Sequence, residues 1–372
     1  MKLQILHITL SSSIGGGPEH VWQLMKSQSK HQNVYIASPS DPPYFRNYVE
    51  IAGEDKHQLL PNRKFNFQSL YKLILFIKKN NINVIHSHGT GSGLYGRLAS
   101  VFTGVPCVHT PHGIHIKKYN KPILKIYVLL EQMLSIFTKK IIHVSVSEKN
   151  EADNYKIFKW SSKVVIENGV ETDLDNYKNK RDLMREKLGI RNTTTAIITV
   201  ARFNRQKNMN YLYQIAKQCL DEDYVFIWLG DGDDYELLKN NSITDKVTNI
   251  KFIGPSREVH DYLAASDIYI SASLWEGLPI AILEAMAMEL PIVASDVRGN
   301  NDLVAHNENG YLFPLNEPEK GIMYLSQLKE RDLRIRLGRE GKKRVLLQYS
   351  IEKMNRSILQ TYESVILRKG EN

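Results

Sequence analysis

Short β-rich runs alternate with helix-length amphipathic stretches twice along this chain, and that alternation constrains the fold more than any other feature. A strand–helix–strand rhythm of this kind leaves room for a parallel sheet covered by helices. In the first half, residues 3–9, 34–37, 84–86, 105–109 and 141–145 read as strands, with helices over 18–30, 70–79 and 123–138. The polar stretch 171–191 is charged, has no strong strand and reads as a linker containing a helix. After it, strands are expected at 196–201, 225–229, 250–252, 268–271 and 292–294, and helices at 208–219, 233–239, 259–266 and 279–288. The tail, 351–368, has apolar residues at helical spacing and reads as a closing helix. The 372 residues therefore divide into two doubly wound α/β units in tandem, a length that suits two domains. Such sheets bind ligands beyond the carboxyl ends of their strands, so two facing units would form a cleft lined by the loops that follow strands.

Composition excludes several classes. With 42% hydrophobic and 24% charged residues the chain is not a disordered one. The net charge of +9 is unevenly spread: residues 1–170 hold 21 Lys and Arg against 10 Asp and Glu, and the remainder is slightly acidic. The excess points to an anionic partner for the first half, either nucleic acid or an acidic membrane surface, unless it is only a solvated basic face. Apolar runs such as 73–77, 126–130 and 225–229 fall far short of the ~20 residues a spanning helix needs. The first residues read as a strand leading to a glycine loop and not as a signal peptide. Cys107 and Cys219, far apart and outside any CxxC, read as free thiols of a reducing cytoplasm.

The candidate chemistry lies just after strands. Gly15-Gly16-Gly17 precedes Pro18, read as a first helical residue, and a glycine loop at a helix N-terminus is suited to a phosphate. It does not match GxGxxG, and a tight structural turn is the alternative. Ten of the twelve histidines precede residue 144. His86 and His88 follow one strand, and His109, His112 and His115 another. Pro111 and Gly113 break any helix that would present the latter as metal ligands, so no metal is expected. His112, at a strand end, reads as a substrate contact or as a satisfied structural histidine. Arg202 and Lys207 follow the first strand of the second unit and are spaced to converge on a pyrophosphate, or else belong to a solvated loop. Gly230-Asp231-Gly232 is a turn at the next strand end. The strongest local signal is Trp275-Glu276-Gly277-Leu278-Pro279-Ile280, followed by Glu284 in an otherwise apolar helix. A carboxylate there needs a polar partner, for which a ribose diol is suited, and the amides of Gly277 and Leu278 open the helix towards a substrate oxygen.

Taken together these residues resemble the GT-B-fold retaining glycosyltransferases of family 4. The likeness is carried by Gly15–Gly17 with His20, Pro111-His112-Gly113, Val146-Ser147-Glu148, Ile166-Glu167-Asn168-Gly169-Val170, Arg202 with Lys207, Gly230-Asp231-Gly232, and Glu276 with Glu284. These motifs span about residues 5–305, and their joint order is far more specific than any one alone. The resemblance implies two Rossmann-like domains facing an interdomain cleft, 1–170 binding the acceptor, with the tail 351–372 packing back on it, and 171–350 binding a nucleotide sugar. It implies that Arg202 and Lys207 hold the diphosphate with backbone contacts from Gly16 and Gly17, and that Glu284 holds the ribose. The base would lie near Ile253. Glu276, Gly277, Leu278 and Pro279 would meet the sugar hydroxyls, His112 the sugar near the reacting centre, and His20 and His88 the acceptor. The catalytic set is His112, Arg202, Lys207 and Glu276, and neither metal nor cofactor is implied.

The segment 295–303 is similar to that of bacterial capsule, exopolysaccharide and O-antigen transferases. That implies a peripheral enzyme on the inner face of the plasma membrane, moving an N-acetylhexosamine from a UDP-sugar onto a polyprenyl-diphosphate saccharide. Lys117, Lys118, Lys121, Lys125, Lys139 and Lys140 flank the apolar stretch 123–137, a composition suited to an anionic membrane, although a core helix with solvated lysines has the same one. A soluble acceptor and a sugar-nucleotide epimerase on the same scaffold are the rival readings. A nucleic-acid binder is disfavoured, since few aromatics interleave the lysines and no recognition motif is present.

Overall fold

The structure is a computed structural model that describes residues 2–114 and 120–367. His115, Lys117, Lys118 and the end of the tail, 368–372, lie outside the described residues. The chain divides into two compact units, Met1–Asn168 with Ile351–Asn372, and Gly169–Ser350.

The first unit runs β1 (Gln4–Thr9), α1 (Gly16–Gln28), β2 (Asn33–Ser38), α2 (Tyr44–Ala52), β3 (His57–Leu59), α3 (Phe67–Lys79), β4 (Val84–His88), α4 (Thr90–Thr103), β5 (Cys107–Thr110), α5 (Lys121–Ser135), β6 (Lys140–His143), α6 (Val146–Asn154) and β7 (Ser162–Val165). Its seven-stranded sheet has the order β3-β2-β1-β4-β5-β6-β7, and every pairing is parallel. Polar side chains start the helices: Asn66 accepts from the Ser69 amide before α3, and Ser145 from the Glu148 amide before α6.

The second unit runs α7 (Asp175–Lys178), α8 (Arg181–Lys187), β8 (Thr195–Val200), α9 (Met209–Gln218), β9 (Tyr224–Leu229), α10 (Tyr235–Thr244), β10 (Ile250–Gly254), α11 (Val259–Ala265), β11 (Ile268–Ser271), α12 (Ile280–Ala287), β12 (Ile292–Ser295), α13 (Asn300–Leu303), β13 (Gly310–Phe313), α14 (Pro318–Gln327) and α15 (Arg331–Gln348). Its six strands, again all parallel, have the order β10-β9-β8-β11-β12-β13. Every residue of β9 is buried, as a strand covered on both faces requires. The tail forms α16 (Ile351–Leu367), whose Met354, Ile358, Tyr362 and Val365 pack with Ile5, Val84 and Val108 of the first sheet.

Four sequence expectations need correction. Residues 171–191 are not a linker, because Arg185 is 1% exposed and donates to the carbonyls of Ala265, Arg191 and Thr194 and to Asp267. Charge that looks like solvent-facing polarity in sequence is here a buried anchor tying α8 to the second sheet. His86 and His88 lie within β4 rather than after a strand, and the helix at the glycine loop begins at Gly16, two residues before Pro18. Strands β3, β7 and β13 were not anticipated; all three are short edge strands, and in β3 and β7 partial exposure weakens the apolar signal. Cys107 and Cys219 are free and buried.

Candidate active site

Both sheets reverse their strand order once. The reversal falls between β1 and β4 in the first and between β8 and β11 in the second. Neighbouring strands there lead into loops that part to opposite faces, leaving a crevice at their carboxyl ends, the place where open α/β sheets bind ligands. The sequence motifs converge on these two points.

In the second unit, β8 ends at Val200 and the chain continues through Arg202 and Lys207, while β11 ends at Ser271 and continues to Glu276. The two loops meet. Lys207 Nζ donates to Glu276 Oε1 at 2.6 Å, Ser273 Oγ donates to the same oxygen at 2.6 Å, and Gln206 Nε2 reaches Oε2 at 3.3 Å. Glu276 is 6% exposed, so its charge is held by an ion pair and two neutral donors, as a buried carboxylate requires. Backbone contacts brace the loop: the Leu274 amide donates to Gln206 O at 2.8 Å, and the Glu276 amide to Arg298 O at 3.0 Å. Gly299, at φ +89°, fits closely against it, since a Cβ there would lie 2.5 Å from that of Glu276.

Arg202 stands exposed and makes no ion pair among the described residues. Its loop is set by the turn at Gly230, where a Cβ would lie 1.9 Å from the Ala201 carbonyl oxygen, and by the Phe203 amide donating to Asp231 O. The glycine turn therefore has a structural use: it permits the backbone approach that positions Arg202. Glu284 is buried on α12. Tyr269, on β11, is pushed upward by burial and then by the charges of Glu276 and Glu284. Gly277 is partly exposed, whereas Leu278 and Pro279 are buried and open α12. Ile253 lies in β10, partly exposed, on the far side of β9.

In the first unit, the register pairs His7 with His86 and Thr9 with His88, so the alternate residues His86 and His88 share a face with His7. His88 Nε2 lies 3.0 Å from His7 Nδ1, and His88 Nδ1 lies 3.2 Å from His112 Nε2. His20 of α1 completes the cluster, its ring centroid 4.6 Å from that of His112. Burial holds His7 and His20 down to about 4, and lowers His86, His88 and His112 as well, so these imidazoles are neutral near pH 7. His109 is not part of the cluster; it bonds Ser87 on the other face of β4. His112 is partly exposed, at a left-handed φ of 56°. Its turn is fixed by Glu148, which accepts from the Gly113 amide at 2.5 Å and the Val144 amide at 2.8 Å. Gly16 and Gly17 open α1 with no atom within 4 Å of where a Cβ would stand.

His88 spends both ring nitrogens on other histidines and is 5% exposed, and His20 is 3% exposed. Sequence reading missed His7 and Gln28. The alternate spacing of His86 and His88 on a strand was the available signal for a histidine face; that β1 lies beside β4 was not readable.

The comparisons agree with this geometry. Residues 14–174 match the family described as Glycosyltransferase Family 4, and residues 180–344 the family Glycosyl transferases group 1. The chain is 32% identical over 315 residues to an Escherichia coli UDP-Gal:alpha-D-GlcNAc-diphosphoundecaprenol alpha-1,3-galactosyltransferase, covering 81% of this chain and 79% of that one. It belongs to glycosyltransferase family 4. This family 4 enzyme is also 26% identical, over 81% of its length and 83% of the relative's, to the Staphylococcus aureus capsular polysaccharide biosynthesis glycosyltransferase CapH. Among solved structures, Anabaena HepE in complex with UDP and glucose matches 97% of this chain and 100% of its own, at TM-score 0.83 and 18% identity. The likeness establishes the GT-B fold for this glycosyltransferase.

Proposed function

We propose that this glycosyltransferase transfers a sugar, with retention, from a UDP-sugar to a lipid-diphosphate-linked saccharide in the synthesis of a surface polysaccharide. The observation that carries the donor half is the meeting of Lys207 and Glu276 at the switch point of the second sheet, Lys207 being on the loop that also carries Arg202, which makes no ion pair among the described residues. An ammonium has three donors, and Glu276 uses one. Lys207 and Arg202 then hold the diphosphate, with amides at Gly16 and Gly17 assisting. Glu284 takes the ribose, Ile253 lies at the base, and Glu276 with Gly277–Pro279 meets the sugar hydroxyls. His112 meets the sugar near the reacting carbon.

Retention without an enzyme nucleophile follows from front-face attack, in which the leaving phosphate takes the acceptor proton. Charge then builds on the diphosphate as the glycosidic bond breaks, and the two cations stabilise that charge more than the ground state. No metal is needed for this clamp.

UDP-N-acetylhexosamine is the donor suggested by the motifs, but the galactosyltransferase relative favours a UDP-hexose, with the N-acetylhexosamine on the acceptor. The lipid-linked acceptor is supported by the same relative and by the surface of α5. Its residues Ile123, Ile126, Leu129, Leu130, Met133 and Ile136, the last just beyond the helix, are between 45% and 68% exposed, with Lys121, Lys125 and Lys139 around them. Leaving such half-exposed side chains in water forgoes roughly 1 kcal/mol or somewhat more each, a cost that contact with a lipid surface removes. We assign this face to the anionic inner surface of the plasma membrane; no helix among the described residues is long and apolar enough to cross one.

A panel of UDP-, GDP- and ADP-sugars read by thermal shift tests the donor site, since a ligand at 100 times its Kd stabilises the fold by about 2.7 kcal/mol. A shift with UDP-hexoses alone is expected. No shift with any nucleotide sugar would overturn the assignment.

A further inference from the structure

We infer that Gln28, His7 and His88 form a dead-ended hydrogen-bond chain that fixes the tautomer of His112, holding its Nδ1 as an acceptor for a sugar hydroxyl. The inference rests on the reading that His112 meets the sugar, and it adds three positioning residues behind it.

The polarity of the chain follows from its buried end. Gln28 Oε1 lies 2.9 Å from His7 Nε2, and a carbonyl oxygen only accepts, so the hydrogen is on His7 Nε2. A neutral imidazole carries one N–H, so His7 Nδ1 accepts. The hydrogen in the next bond, 3.0 Å long, is then on His88 Nε2. By the same step His88 Nδ1 accepts, and the 3.2 Å bond to His112 takes its hydrogen from His112 Nε2. That leaves a lone pair on His112 Nδ1. Every link requires neutral rings, which burial supplies, with His7 held down to about 4.

The orientation of Gln28 is that of its 2.9 Å contact, with Oε1 facing His7 Nε2 and the buried amide nitrogen making no hydrogen bond. The Tyr362 hydroxyl lies 2.5 Å from His86 Nδ1, and the other nitrogen of His86 faces Thr110 Oγ1 at 2.8 Å, so His86 is satisfied outside the chain. The chain is not a proton conduit: a primary amide at its end cannot take up a proton at neutral pH. A metal fits the same atoms poorly. Nitrogens of His20, His88 and His112 lie within 4.8 Å of one another, but His88 would have to surrender one of its two histidine bonds to ligate a metal. Only His112 of the four side chains is other than buried, so the orientation fixed at Gln28 is expressed at one open position.

The test is the tautomeric state of His112 in the full-length protein labelled with 15N-histidine, read from two- and three-bond 1H–15N couplings and assigned by loss of the signal in His112→Asn. The wild type is expected to show the Nε2–H form, a measurement that needs no variant of the chain; the Nδ1–H form overturns the inference. Gln28→Met, which keeps volume and removes the acceptor, is expected to give mixed tautomers. Gln28→Glu, which only accepts when ionised, restores the Nε2–H form. An unchanged His112 in Gln28→Met also overturns it. Turnover separates this inference from the reading beneath it. Gln28→Met is expected to lower kcat by roughly 10–100-fold, as for residues that orient a functional imidazole from behind, with KM for the donor little changed. If the tautomer moves and kcat does not, the sugar-contact role of His112 fails and the chain stands.

Discussion

At the scale of single residues, the pair Lys207–Glu276 decides most. Each was readable as a candidate from its place after a strand, but their contact joins loops 69 positions apart in sequence. The pair pre-sets the ammonium near the switch point, and the remaining contacts of Glu276 with Ser273 and Gln206 would keep the carboxylate satisfied if Lys207 turned to a phosphate as proposed. Lys207→Ala is therefore expected to fold, by far-ultraviolet circular dichroism, and to lose turnover by about 10²–10³-fold, the range for deleting one preorganised stabiliser of developing charge. Turnover near that of the wild type would remove Lys207 from the diphosphate. Glu148 shows the opposite case. It belongs to a motif, yet its carboxylate is spent on the Gly113 and Val144 amides, holding the His112 turn.

Among the elements, α5 was the one composition left ambiguous. A stretch apolar on nearly every side reads equally as a core helix or as a surface-seeking one. The fold resolves it through Glu131, whose carboxylate meets the buried Arg97 guanidinium at 2.7 Å and so turns that side inward with Leu124, Tyr127 and Val128. The equally apolar opposite side is left outside. Ile126→Asp combined with Met133→Asp, at positions 68% and 58% exposed, is expected to leave thermal stability and turnover on a water-soluble acceptor unchanged while abolishing flotation with anionic vesicles. Retained flotation would show that the lipid surface is met elsewhere. The segment 171–191 teaches the converse lesson, since its Arg181 and Arg185 donate to backbone carbonyls of the second unit. Sequence polarity does not reveal whether a cation ends in water or in a carbonyl cage.

Over the whole molecule, the histidine cluster couples stability to pH. His7 and His20, lowered from an ordinary 6.5 to about 4, stay neutral in the fold while the unfolded chain takes up protons below about 6.5. The stability they contribute is thus complete above pH 6.5 and lost as pH falls towards 4, at up to about 1.4 kcal/mol per pH unit for each histidine. The urea midpoint is expected to be lower at about pH 5 than at about pH 7.5; equal midpoints would mean that these rings are not buried as neutral groups. The charge asymmetry belongs to this scale too. The second unit holds several of its cations in local pairs, and the excess of the first includes the lysines around the outward face of α5.

The sequence by itself determined the alternation of strands and helices, the two α/β units and the loops in which chemistry would lie, because periodicity and turn chemistry act over a few residues. Even the family was legible, since its motifs hold their order along the chain. The tertiary structure alone decided that β1 lies beside β4, which gathers His7, His86 and His88 on one face, and that the β8 and β11 loops join Lys207 to Glu276. Strand order and register arise from packing between distant segments. No local pattern encodes which histidine will find which neighbour, or which side of an all-apolar helix will be left facing out.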